Sequence, residues 1–134
     1  MIDAAPSGLR RAWVSIGWMG VVAVVALSLM PSPPQLLPVD QADKAEHILA
    51  FGGLMFWFAQ VYLSRRGRLA AAALLLALGV GIEFAQGQTG YRSFEYADMI
   101  ADGAGIFVGR LLAPPRLPSL YAWSGRFLLA LSQR

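Results

Sequence analysis

Leu69-Ala-Ala-Ala-Ala-Leu-Leu-Leu-Ala-Leu-Gly-Val-Gly-Ile-Glu-Phe-Ala-Gln86 is an eighteen-residue run in which Glu83 is the one charged side chain. At a helical rise of about 1.5 Å per residue it is about 27 Å long, close to the roughly 30 Å hydrocarbon thickness of a bilayer. A charged side chain at the bilayer centre costs about 2.5–3.5 kcal/mol, and each leucine returns about 0.3–0.6 kcal/mol. Glu83 lies one turn from the end of the run, where the cost is smaller, so the segment is expected to insert and to carry its carboxylate with it. Ionisable groups inside such segments usually face a bundle interior and mark function.

Three further stretches have similar length: Trp13–Met30, Ala45–Leu63 and Ala97–Ala113. The second opens on Glu46 and His47, and the third contains Asp98, Asp102 and Arg110. The chain of 134 residues is 57% hydrophobic and only 14% charged, against roughly a quarter charged in soluble domains. The expected fold is all-α: one membrane domain over residues 1–134, built as a four-helix transmembrane bundle. With no cysteine, thiolate catalysis, thiolate metal sites and disulfides are excluded.

The arginines set the orientation. Arg10 and Arg11 precede the first stretch, Arg65, Arg66 and Arg68 fill the link between the second and third, and Arg110, Arg116, Arg126 and Arg134 end or follow the fourth. The two remaining links hold only Lys44 and Arg92. By the positive-inside rule both termini are cytoplasmic. Pro31, Pro33 and Pro34 stop the first helix. Without a small-x-small cleavage pattern, that segment reads as an uncleaved anchor rather than a signal peptide. Residues 119–131 place Leu120, Trp123, Phe127, Leu128 and Leu131 at helical spacing. They are too few to span and are expected to form an interfacial amphipathic helix on the cytoplasmic surface. Trp57 and Trp123 are read as interfacial belt anchors.

Antiparallel threading gathers the ionisable groups at one face, the outer one. His47 lies near the start of its span, Glu83 near the end of the next, and Asp98 and Asp102 near the start of the fourth. Asp43 and His47 are four residues apart, as are Asp98 and Asp102; Lys44 and His47, and Glu83 and Gln86, are three apart, and each pair shares a helix face. Arg92 sits in the outer loop. Gly105 and Gly109 continue the Asp98/Asp102 face and admit close approach of another helix.

Each has a plainer reading. Asp98 complements a helix N-terminus, Lys44 snorkels beside Asp40 and Asp43, and Gln86 satisfies a neighbouring backbone group. A structural role for Glu83 is a tie to His47 or Arg92, although buried ion pairs are poor stability devices. The binding reading is preferred for Asp43, Lys44, His47, Glu83, Gln86, Arg92, Asp98 and Asp102. His47 and Glu83 also qualify as an acid/base pair. A metal ion held by His47 and the carboxylates is not favoured, no cofactor is expected, and no nucleophilic serine or cysteine belongs to the layer.

In order and spacing these blocks resemble the VanZ-like family of small bacterial integral membrane proteins. The family's D-K-x-x-H block matches Asp43, Lys44 and His47, and its E-x-x-Q block matches Glu83 and Gln86. Its arginine matches Arg92, and its D-x-x-x-N-x-x-G-x-x-x-G run matches Asp98, Asp102, Gly105 and Gly109. The resemblance covers residues 43–109, and Asp102 departs from it by standing where Asn is usual. The family takes its name from a low-level teicoplanin-resistance protein. The resemblance implies a multi-pass protein of the bacterial inner membrane. Its expected partners are membrane lipids and a lipid-linked, cell-wall or glycopeptide-like ligand, not nucleic acid. Whether it is an enzyme stays open. The alternatives are a small proton- or ion-coupled transporter, or a structural partner that docks through Gly105 and Gly109.

Overall fold

The computed structural model describes residues 7–34 and 42–132, so Asp40 and Arg134 lie outside the described residues. Within them the fold is all-α. Five helices follow in order: α1 (Ser7–Ser28), α2 (Ala42–Val61), α3 (Arg65–Gln88), α4 (Tyr96–Leu112) and α5 (Leu120–Ser132). The four long apolar stretches became α1 to α4, and the amphipathic tail became α5. Pro31, Pro33 and Pro34 follow α1 as helix breakers. At α3 the Ser64 hydroxyl caps the start by accepting from the Gly67 amide at 3.0 Å.

Helices α1 and α3 are long and apolar enough to cross a membrane. The shorter α4 contains Asp98, Asp102 and Arg110, and α2 begins with Asp43, Lys44 and Glu46. Beside an apolar core, the bundle buries several polar side chains and exposes many large apolar ones. His47, Gln60, Glu83, Gln86, Asp98 and Asp102 are buried, while Trp18, Met19, Val22, Leu74, Phe84, Ile100 and Phe107 are exposed.

The centre of the bundle is the crossing of α2 and α4, which share the largest contact. Glycine makes it possible. A Cβ on Gly105 would lie 2.5 Å from the Ile48 carbonyl oxygen, and one on Gly109 would overlap the carbonyl of Gly52. The close approach expected of Gly105 and Gly109 is therefore made to α2, at Ile48–Gly52. Around it Phe51, Leu54, Met55, Phe58, Leu75, Ile82 and Ile106 form the apolar core.

Other residues close the ends. Trp13 and Trp57 stack at 4.1 Å, and the Trp57 indole donates to the Trp13 carbonyl at 2.8 Å. Trp57 thus fastens α1 to α2 in addition to any role at a membrane surface. Arg68 donates to the carbonyls of Ala59, Tyr62 and Pro114, tying the end of α2 and the segment after α4 to the start of α3. The α5 amide of Leu120 donates to Gln60 at 3.0 Å. Otherwise α5 leaves Trp123, Phe127, Leu128 and Leu131 exposed, an apolar face that the described residues do not cover.

Candidate functional site

The starts of α2 and α4 bring together a layer of ionisable groups. The repeat of four residues in each helix places Asp43 and His47 on one side of α2, and Asp98 and Asp102 on the facing side of α4. The glycine-lined crossing holds the two backbones close enough for these side chains to bond.

At the deepest position His47 Nδ1 lies 2.7 Å from Asp102 Oδ1. An ionised Asp102 accepts only, so Nδ1 then carries the proton, and in the neutral ring Nε2 keeps its lone pair. His47 Nε2 lies 3.8 Å from Asp98 Oδ2. The other oxygen of Asp102 packs against Gly79 of α3, where any Cβ would overlap it. Gly79 is thus the space in which a carboxylate is housed. Asp102 Oδ2 has no hydrogen-bond donor within the described residues.

One turn outward, Lys44 is the hub. Its ammonium lies 2.5 Å from Glu95, 2.8 Å from Asp98 and 3.4 Å from Asp43. The bonded ammonium holds the Glu95 carboxyl below its ordinary pKa. Asp98 stands in the first turn of α4, so it complements the helix dipole and pairs with Lys44 at once. Lys44 therefore does more than snorkel beside acidic neighbours: it joins α2 to α4. Ligand atoms of Asp43, His47 and Asp98 fall within 4.8 Å of one another, a spacing that a cation can bridge. The Lys44 ammonium already supplies positive charge to both carboxylates of that group.

Glu83 and Gln86 stand apart from this hub. Glu83 is fully buried and accepts from the Glu95 backbone amide at 2.9 Å. The expected tie from Glu83 to His47 or Arg92 is not the one formed. His47 spends its Nδ1 on Asp102, and the chain reversal before α4 delivers the Glu95 amide to Glu83. The partner of His47 for any proton exchange is Asp102, not Glu83. Gln86 donates to the Ser28 carbonyl at 2.8 Å, joining the ends of α3 and α1.

The loop before α4 is held by Thr89, which donates to Gln86 O and accepts from the Arg92 amide. Gly90 takes a positive φ of 75° between them, a backbone region that suits glycine. This geometry sets the Arg92 guanidinium 3.9 Å from Asp43. Tyr91 donates to Leu29 O at 2.9 Å and anchors the loop to α1.

Two adjoining clefts open on the layer and share Pro33, Pro34, Asp43, Glu46 and Arg92 as walls. The larger, about 360 Å³, is polar and reaches Ser93, Glu95 and Asp98. The smaller, about 100 Å³, is mainly apolar, runs between α1 and α2 along Val24, Leu27, Ala50 and Phe51, and ends at His47. Asp43, Lys44, His47, Arg92, Asp98 and Asp102 thus form or contact one another around this space. Glu83 and Gln86 support it from behind.

Glu95 and Gly52 were not singled out from sequence. The position of Glu95 three residues before Asp98 hints at a shared helix start. Nothing in sequence pairs Gly52 with Gly109, or Gly79 with Asp102, because both contacts are between helices. No family model, curated protein or solved structure matches this chain.

Proposed function

We propose that the chain is a VanZ-like integral membrane protein in which α1 to α4 all cross the bilayer. Both termini and α5 lie at the cytoplasmic side of a bacterial inner membrane, and the Lys44–His47 layer faces outward. The many exposed large apolar side chains of all four helices support this reading, since large exposed apolar patches mark interaction or membrane surfaces. The arginine distribution supports the orientation.

The function best supported is recognition of an amphiphile of the cell envelope: a lipid headgroup, a cell-wall precursor or a glycopeptide-like molecule. The observation that carries it is the pairing of a polar cleft with an apolar one over shared walls. The polar part is shaped for a headgroup and the apolar part for the first carbons of a chain. Asp43, Glu46, Glu95 and Asp98 outnumber Lys44 and Arg92 there, so the cleft favours amino and hydroxyl groups over a second anion. His47, oriented by Asp102, lines the apolar cleft and holds Nε2 3.8 Å from Asp98 of the polar one. This supplies a hydrogen-bond acceptor, or a base if the ligand is to be modified. Glu83 and Gln86 act as positioning residues.

The test is direct. The full chain is purified in mild detergent from its own membranes, and co-purifying amphiphiles are identified by mass spectrometry. A species with an amino- or hydroxyl-bearing headgroup should be retained. Asp98→Asn or His47→Gln should reduce its occupancy by about tenfold, equivalent to about 1.4 kcal/mol, while protein yield is kept. Glu83→Gln preserves an oxygen for the Glu95 amide and should reduce occupancy less. Retention unchanged by both Asp98→Asn and His47→Gln would refute the reading.

A further inference from the structure

At the other end of the bundle another cavity has the opposite chemistry. It measures about 410 Å³ and lies among the α2–α3 link, the end of α4 and the Pro114–Arg116 segment. Arg65, Arg68, Arg110 and Arg116 line it, and its apolar walls include Leu63, Phe107 and Leu111. No carboxylate of the described residues pairs with any of these arginines.

The four are not equivalent. Arg68 is half-buried and its guanidinium is bound to three carbonyl oxygens, so it is fixed in place by the scaffold. Those carbonyls occupy three of its five donors without cancelling its charge. Arg116 donates only to Leu111 O, at a long 3.3 Å. Arg65 and Arg110 form no hydrogen bond or ion pair with the described residues, so their forks are available. Arg65 is also the first residue of α3, where the helix dipole adds positive potential. A fixed central cation with three adjustable ones around it, and no internal counterion, is a site for a compact anion.

We propose that this cavity binds the phosphodiester headgroup of an anionic phospholipid, with Phe107 and Leu111 receiving the upper acyl chain. Guanidinium forks match phosphate oxygens bidentately, and basic pockets between helices at the cytoplasmic side are suited to such headgroups. An acyl chain accounts for the apolar wall, which a soluble phosphate would leave unused. The proposal requires α4 to lie beside lipid, but it does not depend on any ligand in the outer cleft.

The experiment uses the full chain in detergent micelles containing phosphatidylglycerol or phosphatidylcholine with identical acyl chains, and native mass spectrometry reads retained lipid. Phosphatidylglycerol should be retained about tenfold more than phosphatidylcholine. Arg110→Gln and Arg116→Gln should each lower its retention about fivefold, the effect of removing one cation near an anionic lipid, and Arg110→Lys, which keeps the charge but not the bidentate fork, should restore only part of it. The exposed Arg116 keeps the test independent of any folding defect at Arg110. Inorganic phosphate and glycerol phosphate should not displace the lipid. Equal retention of the two lipids, or retention insensitive to both glutamine variants, would overturn the proposal. Displacement by inorganic phosphate would overturn the lipid assignment in favour of a soluble anion. The outer cleft is untouched by these variants, so its own ligand test can fail or succeed separately.

Discussion

The two ends of the α2–α4 pair treat charge in opposite ways. At the Lys44–His47 end every cation has an acidic partner: Lys44 with Asp43, Glu95 and Asp98, His47 with Asp102, and Arg92 beside Asp43. At the Arg68 end the arginines share a cavity with no carboxylate among the described residues. Paired buried charges lose much when one partner is removed, because the other is left desolvated and alone. Unpaired, half-exposed arginines lose little from the fold. The first end is therefore built into the packing, whereas the second leaves its charge without an acidic partner among the described residues.

The largest expected effect removes the comparison altogether by separating the two helices. Gly109→Leu places a side chain where the Gly52 carbonyl stands. It should cost about 3 kcal/mol or more, as overpacking of a rigid contact does, seen as a lowered thermal midpoint and loss of accumulated protein. A wild-type midpoint would mean that the α2–α4 crossing does not hold both ends.

Next in size is the contrast itself. Asp102→Ala strands the His47 ring nitrogen in a buried position and should cost about 1–3 kcal/mol. Arg110→Gln, at the unpaired end, should change stability by less than about 0.5 kcal/mol. Equal losses in denaturant titrations of the two variants would erase the distinction drawn between the ends.

A smaller effect sharpens the description of the paired end. The Glu95 carboxyl is held below its ordinary value of 4.5 by Lys44. A depressed folded-state pKa contributes stability that is fully present above the ordinary value and is lost as pH falls through the folded one. Wild-type protein should therefore lose stability on acidification below about pH 4.5 more steeply than Lys44→Met. The difference should be only about half a kcal/mol, because the Glu95 side chain is 43% exposed and solvent screens the pair. Parallel acid profiles for the two proteins would show that Lys44 and Glu95 do not act together.

The sequence was legible where a single helix carries the signal. Apolar runs of 17 to 19 residues, proline stops and the spacing of Leu120, Trp123, Phe127 and Leu131 yield five helices, but α1 starts six residues earlier than its apolar run, at Ser7, and α3 four earlier, at Arg65, because both helices take in the arginines before the run. The spacing of four residues likewise puts Asp43 with His47 and Asp98 with Asp102. What local periodicity lacks is the identity of partners between helices. Glu83 illustrates the gap: its burial follows from its position near the end of an apolar run, but its partner is the Glu95 amide, fixed by a loop that reverses around Gly90. Arg68 is a second case. As one of three arginines in a short link it reads as a topological charge, and only the packed bundle turns it into a tie among three carbonyls.

The contrast between the ends has its proposed meaning only if they lie on opposite sides of one membrane, with the paired layer outward. The chain has no cysteine, so single cysteines report position without background. Gln88 and Arg66 are both exposed and lie at the two ends of α3, which makes them direct probes. In intact cells a membrane-impermeant maleimide should label Gln88→Cys, and it should label Arg66→Cys only after permeabilisation. Labelling of both in intact cells, or of Arg66→Cys alone, would contradict the account.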